Sequence, residues 1–345
     1  MPTFKCYPIS DPNSLWNYCP SFGAAILFSV LFGIPTVAHS IQALLLRKPF
    51  ACVLVMGGIW ETLGYIFRIL SVMHQLSSGL YTAQQLLILL APLWINAFVY
   101  MVLGRMVHFF LEHDQIFGIK ARRITLMFVL FDISAFIVQA AGGLMTSDQS
   151  SPSTQRLGLH VYMGGVGLQL VFILIFIALA ARFQFLVHRQ ESGDDVNVRV
   201  SVSLFFGSFS SSTRGQQAQH LLHIVYAVLG LIIFRNIYRL VEYACGVYSN
   251  ITMHEWYSYV FDAVPMLAAL VLFNIWHPGR ILQGARSDFS EDNKVRRELK
   301  KEKKAAQKME KEDKKRAKAE KKREQLLAKA FVKSPEQDAP VSDIV

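Results

Sequence analysis

Seven long apolar segments account for most of this 345-residue chain, and they limit what it can fold into. They lie near residues 21–46, 50–73, 81–110, 122–146, 158–187, 220–248 and 256–276. Each contains the ~20 residues that a helix needs to cross ~30 Å of hydrocarbon. Only helices and closed barrels can span lipid, so segments of this length predict an all-α membrane protein with seven transmembrane helices.

The basic residues of the links between these segments predict the orientation. Lys and Arg collect in the first, third and fifth links and in the C-terminal tail, whereas the alternate links hold almost none. By the positive-inside rule, the N-terminus is expected outside and the C-terminus in the cytosol. The expected organisation is an extracellular N-terminus at 1–20, a seven-helix domain at 21–276 and a cytosolic charged tail, helical or disordered, at 277–345.

The tail carries most of the net charge of +10. From His277 onward there are 20 Lys and Arg residues against 13 Asp and Glu residues, so the remainder of the chain is close to neutral. The basic composition therefore describes the tail and does not indicate a nucleic-acid partner.

Charged residues inside the sixth segment predict contacts with other helices. Arg235, Tyr238, Arg239 and Glu242 follow helical spacing, so they share one face of a helix. A charge at the centre of a span costs roughly 2.5–3.5 kcal/mol on insertion scales. This face must therefore lie against protein or water, and we expect Asp262 of the seventh segment to pair with Arg235 or Arg239, because the link between the two segments is short.

The other segments contribute further polar positions. The candidates for a substrate path or a structural polar network are Glu61, Tyr65, Arg68, Asn96, Arg105, Asp132, Gln139, Gln169, Arg235, Tyr238, Arg239, Glu242, Asp262 and Asn274. We expect two layers, with Arg105 and Asp132 toward the cytosolic half and Arg68, Arg239, Glu242 and Asp262 toward the outer half. Gly158, Gly164, Gly165 and Gly167 are expected to allow close helix packing.

The motifs in the last two segments are long and specific. They read R-x-x-Y-R-x-x-E-Y-x-x-G from Arg235, then H-E-W, Y-x-x-D-x-x-P-M and N-x-x-H-P-G, with E-x-x-G-Y-x-x-R from Glu61 in the second segment. This set resembles the fungal lipid-translocating exporter family, also called the RTA-like proteins. The chain departs from the family pattern at Ala135, where a serine is expected, and at Leu144, where a third glycine is expected.

The resemblance implies a transporter rather than an enzyme. The expected location is the plasma membrane, with other endomembranes as the alternative. Its expected partners are membrane lipids or amphipathic small molecules, among them sphingoid long-chain bases, sterol-like compounds and membrane-active drugs, with a role in stress or drug resistance. Glu61, Glu242 or Asp262 would hold a cationic head group. No cofactor and no metal are expected, and the sequence does not indicate an oligomeric state.

Two other classes stay open at this point. A seven-helix receptor or lipid sensor fits the same topology. A zinc-dependent intramembrane lipid hydrolase would need several histidines. The candidates are His39, His108, His160, His220, His223 and His277, although none forms an H-E-x-x-H pair. Asn250 begins an N-x-T sequence and is a glycosylation candidate.

Overall fold

The computed structural model describes residues 6, 14–111, 114–146, 151–194, 214–246, 249–283 and 289–331. Within these residues, seven helices are long and apolar enough to cross a membrane, as predicted. The candidate spans are Phe22–Leu45, Pro49–Met73, Ser78–Phe110, Ala121–Met145, Ser153–Arg189, Gln216–Ala244 and Glu255–Ile281. Many large apolar side chains are exposed on them, for example Ile34 at 65% and Leu174 at 56%, as expected for surfaces that face lipid.

The helices that build these spans are α1 (Phe22–Leu45), α2 (Cys52–Met73), α3 (Ser78–Phe110), α4 (Ala121–Met145), α5 (Pro152–Asp194), α6 (Arg214–Ala244), α7 (Glu255–Ser258), α8 (Val264–Ile275) and α9 (Pro278–Ile281). A 3₁₀ turn at Pro49–Ala51 precedes α2, and a π turn at Tyr259–Ala263 joins α7 to α8.

Helices that follow one another in sequence pack side by side. The last span closes the bundle because α8 contacts α6, α1 and α3. Among the spans, α3 is the most enclosed, and Tyr100 and Phe98 of α3 are fully buried. We call the end of the bundle where α1 begins the N-side and the opposite end the C-side.

Glycines bring α4 and α5 into close contact. A Cβ added to Gly158 would lie 2.8 Å from the Gly142 carbonyl oxygen, and one added to Gly165 would lie 2.9 Å from the backbone nitrogen of Gln139. Added carbons at Gly164 and Gly167 would meet nothing within 4 Å. The expectation of close packing is therefore confirmed for Gly158 and Gly165 and is wrong for Gly164 and Gly167, which lie on another face of α5.

Two features of the backbone differ from the expectation from sequence. A small antiparallel hairpin, β1 (Gln115–Ile116) and β2 (Ile119–Lys120), joins α3 to α4. Its turn has Phe117 and Gly118 at positive φ, which matches the right-handed twist of a two-residue hairpin. The sixth helix ends at Ala244 rather than near residue 248. Gly246 then adopts a φ of +83°, a left-handed conformation that commonly ends helices.

The chain divides into two compact units, Met1–Ser287 and Asp288–Val345. In the second unit, α10 (Ser290–Phe331) is a highly charged helix. Its described side chains are exposed, and Lys314 pairs with Glu310 at 2.5 Å, one turn earlier. Such a solvated helix agrees with the helical alternative that the sequence left open for this segment.

Candidate functional site

The buried charges of the bundle lie mainly between α2, α6 and the seventh span. Asp262 is 3% exposed and contacts two arginines of α6. Its Oδ1 lies 2.6 Å from Arg235 Nε, and its Oδ2 accepts a hydrogen bond from Arg239 Nη2 at 2.5 Å. The predicted pairing of Asp262 with α6 is confirmed, and it involves both arginines rather than one.

A second carboxylate completes this group. Arg239 Nη1 donates to Glu242 Oε2 at 3.0 Å, and the Tyr238 hydroxyl donates to Glu242 Oε1 at 3.2 Å. These three residues lie on the face of α6 that their spacing predicted. We call Arg235, Arg239, Glu242 and Asp262 the α6–α8 ion cluster.

The π turn brings Asp262 to this cluster. Pro265 lacks an N–H group, and in a regular α-helix its ring would clash with the carbonyl of Phe261. The wider turn at Tyr259–Ala263 absorbs this clash just before α8 begins. Turns of this kind frequently occur at functional sites, and this one contains Asp262 itself.

Glu61 of α2 lies beside the ion cluster but has no hydrogen bond or ion pair among the described residues. It is 2% exposed, and its Oε2 has no partner there. Asp262, Arg235 and Arg239 are the charged residues that act on it electrostatically. The region therefore contains three carboxylates, from Glu61, Glu242 and Asp262, against the guanidinium groups of Arg235 and Arg239.

Aromatic rings adjoin Glu61 on its N-side. Tyr65 is one helical turn further along α2, and its ring stacks on Phe32 of α1 at 5.4 Å and on Tyr259 at 6.0 Å between centroids. Phe28 of α1 stacks on Tyr259 at 4.6 Å. We call Phe28, Phe32, Tyr65 and Tyr259 the aromatic cluster.

At the N-side, Arg68 connects α2 to the seventh span and to the N-terminal segment. Arg68 Nη2 lies 2.8 Å from Glu255 Oε1 and donates to the Tyr18 hydroxyl at 2.8 Å, while Nε donates to the Tyr259 hydroxyl at 3.0 Å. The Trp16 ring lies 5.1 Å from the guanidinium carbon. Arg68 is therefore satisfied by residues outside the candidate list.

The N-terminal segment is fixed at this end of the bundle. Ser21 donates its backbone N–H to Glu255 Oε2 at 2.7 Å, and Trp16 is 4% exposed. A disulfide joins Cys6 to Cys19. Burial raises the pKa of the Tyr18 phenol to about 12, because the phenolate is poorly solvated there.

A separate polar group lies between α3, α4 and α5. Asp132 Oδ2 accepts hydrogen bonds from Asn96 Nδ2 at 2.9 Å and from the Tyr100 hydroxyl at 3.0 Å. Gln139 Nε2 donates to Gln169 Oε1 at 3.0 Å and joins α4 to α5. The structure thus places four of the candidates in two pairs, Asn96 with Asp132 and Gln139 with Gln169, and neither pair includes an arginine.

Two further candidates make contacts outside these groups. Arg105 donates to the Met101 carbonyl at 3.3 Å and lies over the Phe50 ring at 4.1 Å. Arg105 therefore makes no ion pair with Asp132, and the common layer of the two residues stays a prediction. Asn274 donates to the Pro35 carbonyl at 3.1 Å and joins α8 to α1.

Several residues of the site were missing from the candidates drawn from sequence. Glu255, Tyr18, Tyr259 and Tyr100 all bond directly to a buried charge. Glu255 and Tyr259 stand within the quoted H-E-W and Y-x-x-D motifs, which were a usable signal. Tyr18 lies before the first span and carried no such signal.

The described histidines do not form a cluster. In the part of the chain that the structure describes, no group of three or more His, Cys, Asp or Glu residues could hold a metal ion. The rings of His39 and His277 lie near each other, with centroids 6.2 Å apart. His39 Nε2 donates to the Leu270 carbonyl at 3.0 Å, and His277 Nδ1 accepts the Gly279 N–H at 3.0 Å, so each ring already has a backbone partner.

The chain is similar in sequence to known proteins. The family described as RTA1 like protein matches residues 54–285, more than half of the chain. The chain is similar to the probable lipid transporter atnI of Emericella nidulans, with 38% identity over 288 residues that cover 82% of this chain and 72% of the relative.

Two relatives from Saccharomyces cerevisiae have names that specify what they carry. Protoporphyrin uptake protein 1 is 32% identical over 296 residues, covering 76% of this chain and 91% of the relative. The sphingoid long-chain base transporter RSB1 is 26% identical over 295 residues, covering 80% and 76%. No solved structure matches the chain. The family match and the atnI similarity show that the chain belongs to the RTA1-like family of multipass membrane proteins.

Proposed function

We propose that this protein moves cationic amphipathic lipids, such as sphingoid long-chain bases, through the bundle, with Glu61 as the carboxylate that receives the head group. The observation that carries the proposal is the unpartnered Oε2 of Glu61 at 2% exposure. A buried carboxylate without a partner is costly, so such residues in membrane spans usually serve a pathway or a ligand.

The charge balance around Glu61 supports a cationic ligand. Arg235 and Arg239 are already matched by Asp262 and Glu242 at 2.5–3.0 Å. Glu61 is therefore the carboxyl group of this region that has no arginine of its own. An ammonium head group beside it would favour its ionised form and pair with it.

The aromatic cluster supports the same ligand class. Rings such as Tyr65 and Phe32 attract cations through their faces and also provide an apolar surface for the first carbons of an alkyl chain. A carboxylate next to such rings suits a long-chain amine. Two of the relatives are named for lipid cargo, one of them for sphingoid long-chain bases.

For most of the remaining positions we propose a structural role. The α6–α8 ion cluster, the Arg68 contacts, Asn274 and the Gln139–Gln169 pair join helices, as buried polar groups in membrane proteins commonly do. They would hold α2, α6 and the seventh span in register around Glu61. Helix α10 would stay in the cytosol and take no part in substrate movement.

We also propose that the N-side faces the exterior of the plasma membrane. The distribution of Lys and Arg supports this orientation, and the Cys6–Cys19 disulfide fits an oxidising compartment. Asn250 is exposed in the N-side link after α6, where a glycan could be added. A glycosidase-sensitive mass shift that disappears in Asn250→Gln would support this orientation, whereas labelling of an N-terminal tag from the cytosol would contradict it.

Lipid movement in liposomes that contain the purified protein and no other protein tests this function. A fluorescent sphingoid base and a fluorescent phosphatidylcholine are each followed with a quencher that cannot cross the membrane. The expected result is faster movement of the sphingoid base than in protein-free liposomes. No acceleration of either lipid, together with a ligand-induced conformational change, would instead favour a receptor. Chemical conversion of the lipid would favour a hydrolase.

A further inference from the structure

Asp132 is a buried carboxylate that, unlike those of the α6–α8 ion cluster, contacts no arginine among the described residues. It lies near the middle of α4 and is 1% exposed. Both of its hydrogen bonds, from Asn96 Nδ2 and the Tyr100 hydroxyl, go to Oδ2. Within the described residues, Oδ1 has no partner, and neither does Asn96 Oδ1. Two buried oxygen acceptors in one contact thus lack a donor.

No cation compensates this carboxylate. The ion pairs of the described residues do not include Asp132. The elements packed against α4 are α3, α5 and β2. From α3, Tyr100 faces Asp132, whereas Arg105 lies over Phe50.

The other two elements supply no charge either. From α5, the Phe176 ring packs on Tyr100 at 4.5 Å, and Gln169 bonds Gln139. The charged residue of β2, Lys120, is exposed where α4 begins. The surroundings of Asp132 are therefore aromatic and neutral.

Protonation of Asp132 is the simplest way to compensate this buried carboxylate. A carboxylate buried without a cation is strongly disfavoured, and such groups usually become neutral instead. A bound proton would turn Oδ1 or Oδ2 into a donor and remove the charge. A sodium ion would need several oxygen ligands, whereas this contact offers the two unpartnered oxygens of Asp132 and Asn96.

We propose that Asp132, with Asn96 and Tyr100, forms a proton-binding site between α3 and α4. The site is distinct from the Glu61 region and exists whether or not the chain moves lipid. If the proposed function holds, it gives the transporter a group through which a proton gradient could act. Tyr100 and Asn96 are positioning residues, because their hydrogen bonds to Oδ2 determine how easily the proton leaves.

Infrared spectroscopy of the purified full-length protein in lipid nanodiscs tests the site directly. The wild type should show a protonated-carboxyl band at neutral pH that is absent from Asp132→Asn and that disappears as the pH rises. Asp313→Asn, in exposed α10, is the matched control and should keep the band. Tyr100→Phe removes a donor that favours the ionised form, so its band should persist to higher pH.

Three results would overturn the proposal. The first is a wild-type spectrum without any band that depends on Asp132. The second, which serves if Asp132→Asn does not fold, is a Tyr100→Phe band that titrates as in the wild type. The third is stabilisation by sodium chloride over choline chloride that Asp132→Asn abolishes, because the site would then hold sodium. Absence of lipid movement would count against the proposed function and leave the band in place.

Discussion

Arg68 Nη2 lies 2.8 Å from Glu255 Oε1, and this contact joins α2 to the first turn of α7 across the N-side of the bundle. The two side chains are only 6% and 11% exposed. The same carboxylate accepts the Ser21 N–H, so one ion pair fixes α2, α7 and the N-terminal segment together.

Glu255→Gln should therefore destabilise the protein. Removing one member of a buried pair leaves the other charge uncompensated and typically costs about 3–5 kcal/mol. Thermal unfolding in detergent micelles measures the loss. Glu310→Gln is the control, because its partner Lys314 is 72% exposed and surface pairs contribute about 0–1 kcal/mol. Equal unfolding temperatures for the two variants would contradict the assignment.

The raised pKa of Tyr18 predicts that the protein loses stability at alkaline pH. Its pKa is raised from 10.0 to about 12 by burial. Below 10.0 the phenol is neutral in both states, and as the pH rises further the unfolded chain releases its proton first, so the folded state loses stability. The wild type should lose more stability than Tyr18→Phe across this interval in thermal unfolding at a series of pH values. Parallel curves for the two proteins would be inconsistent with this titration.

Asp262→Asn should be the most damaging single change in the α6–α8 ion cluster. It leaves Arg235 and Arg239 without the carboxylate that both contact, at a cost of about 3–5 kcal/mol for one uncompensated charge. Glu242→Gln is the matched control, because Arg239 would keep Asp262. The yield of monodisperse protein and its unfolding temperature should fall much further in Asp262→Asn. Normal yield with selective loss of transport would instead make Asp262 a ligand-binding residue.

The glycines of α5 offer a paired test of helix packing. A Cβ at Gly165 would lie 2.7 Å from Gln139 Cγ and 3.0 Å from the Ala135 carbonyl oxygen, whereas one at Gly164 would meet nothing within 4 Å. Gly165→Ala should therefore cost about 1–3 kcal/mol through overpacking. Gly164→Ala should be neutral or stabilise by about 0.5–1 kcal/mol, because alanine favours a helix. The reverse order of unfolding temperatures would show that α4 and α5 do not approach as described.

Sequence patterns predicted the parts of this structure that depend on local spacing. Apolar length gave the seven spans, and helical spacing placed Arg235, Arg239 and Glu242 on one face. The short link before α7 made α6 and the seventh span neighbours, which was enough to predict a partner for Asp262.

The unpredicted contacts depend on how the bundle closes. Arg68 and Glu255 are 187 positions apart, and no local spacing relates them. The π turn at Tyr259–Ala263 arises from a clash between Pro265 and the preceding turn. The spacing of apolar residues does not predict such a turn. Helical spacing also does not indicate that Glu61 and Asp132 take part in no ion pair among the described residues.

The most direct test of the central claim is movement of a cationic sphingoid base by Glu61→Gln in proteoliposomes. Glutamine keeps the size of the side chain and removes its charge, and no ion pair is lost, so the variant should fold as the wild type does. Movement of the cationic base should fall about tenfold, which corresponds to about 1.4 kcal/mol. An N-acylated, uncharged analogue should move at the same rate with both proteins. A folded Glu61→Gln variant that moves the cationic base as fast as the wild type would contradict the account.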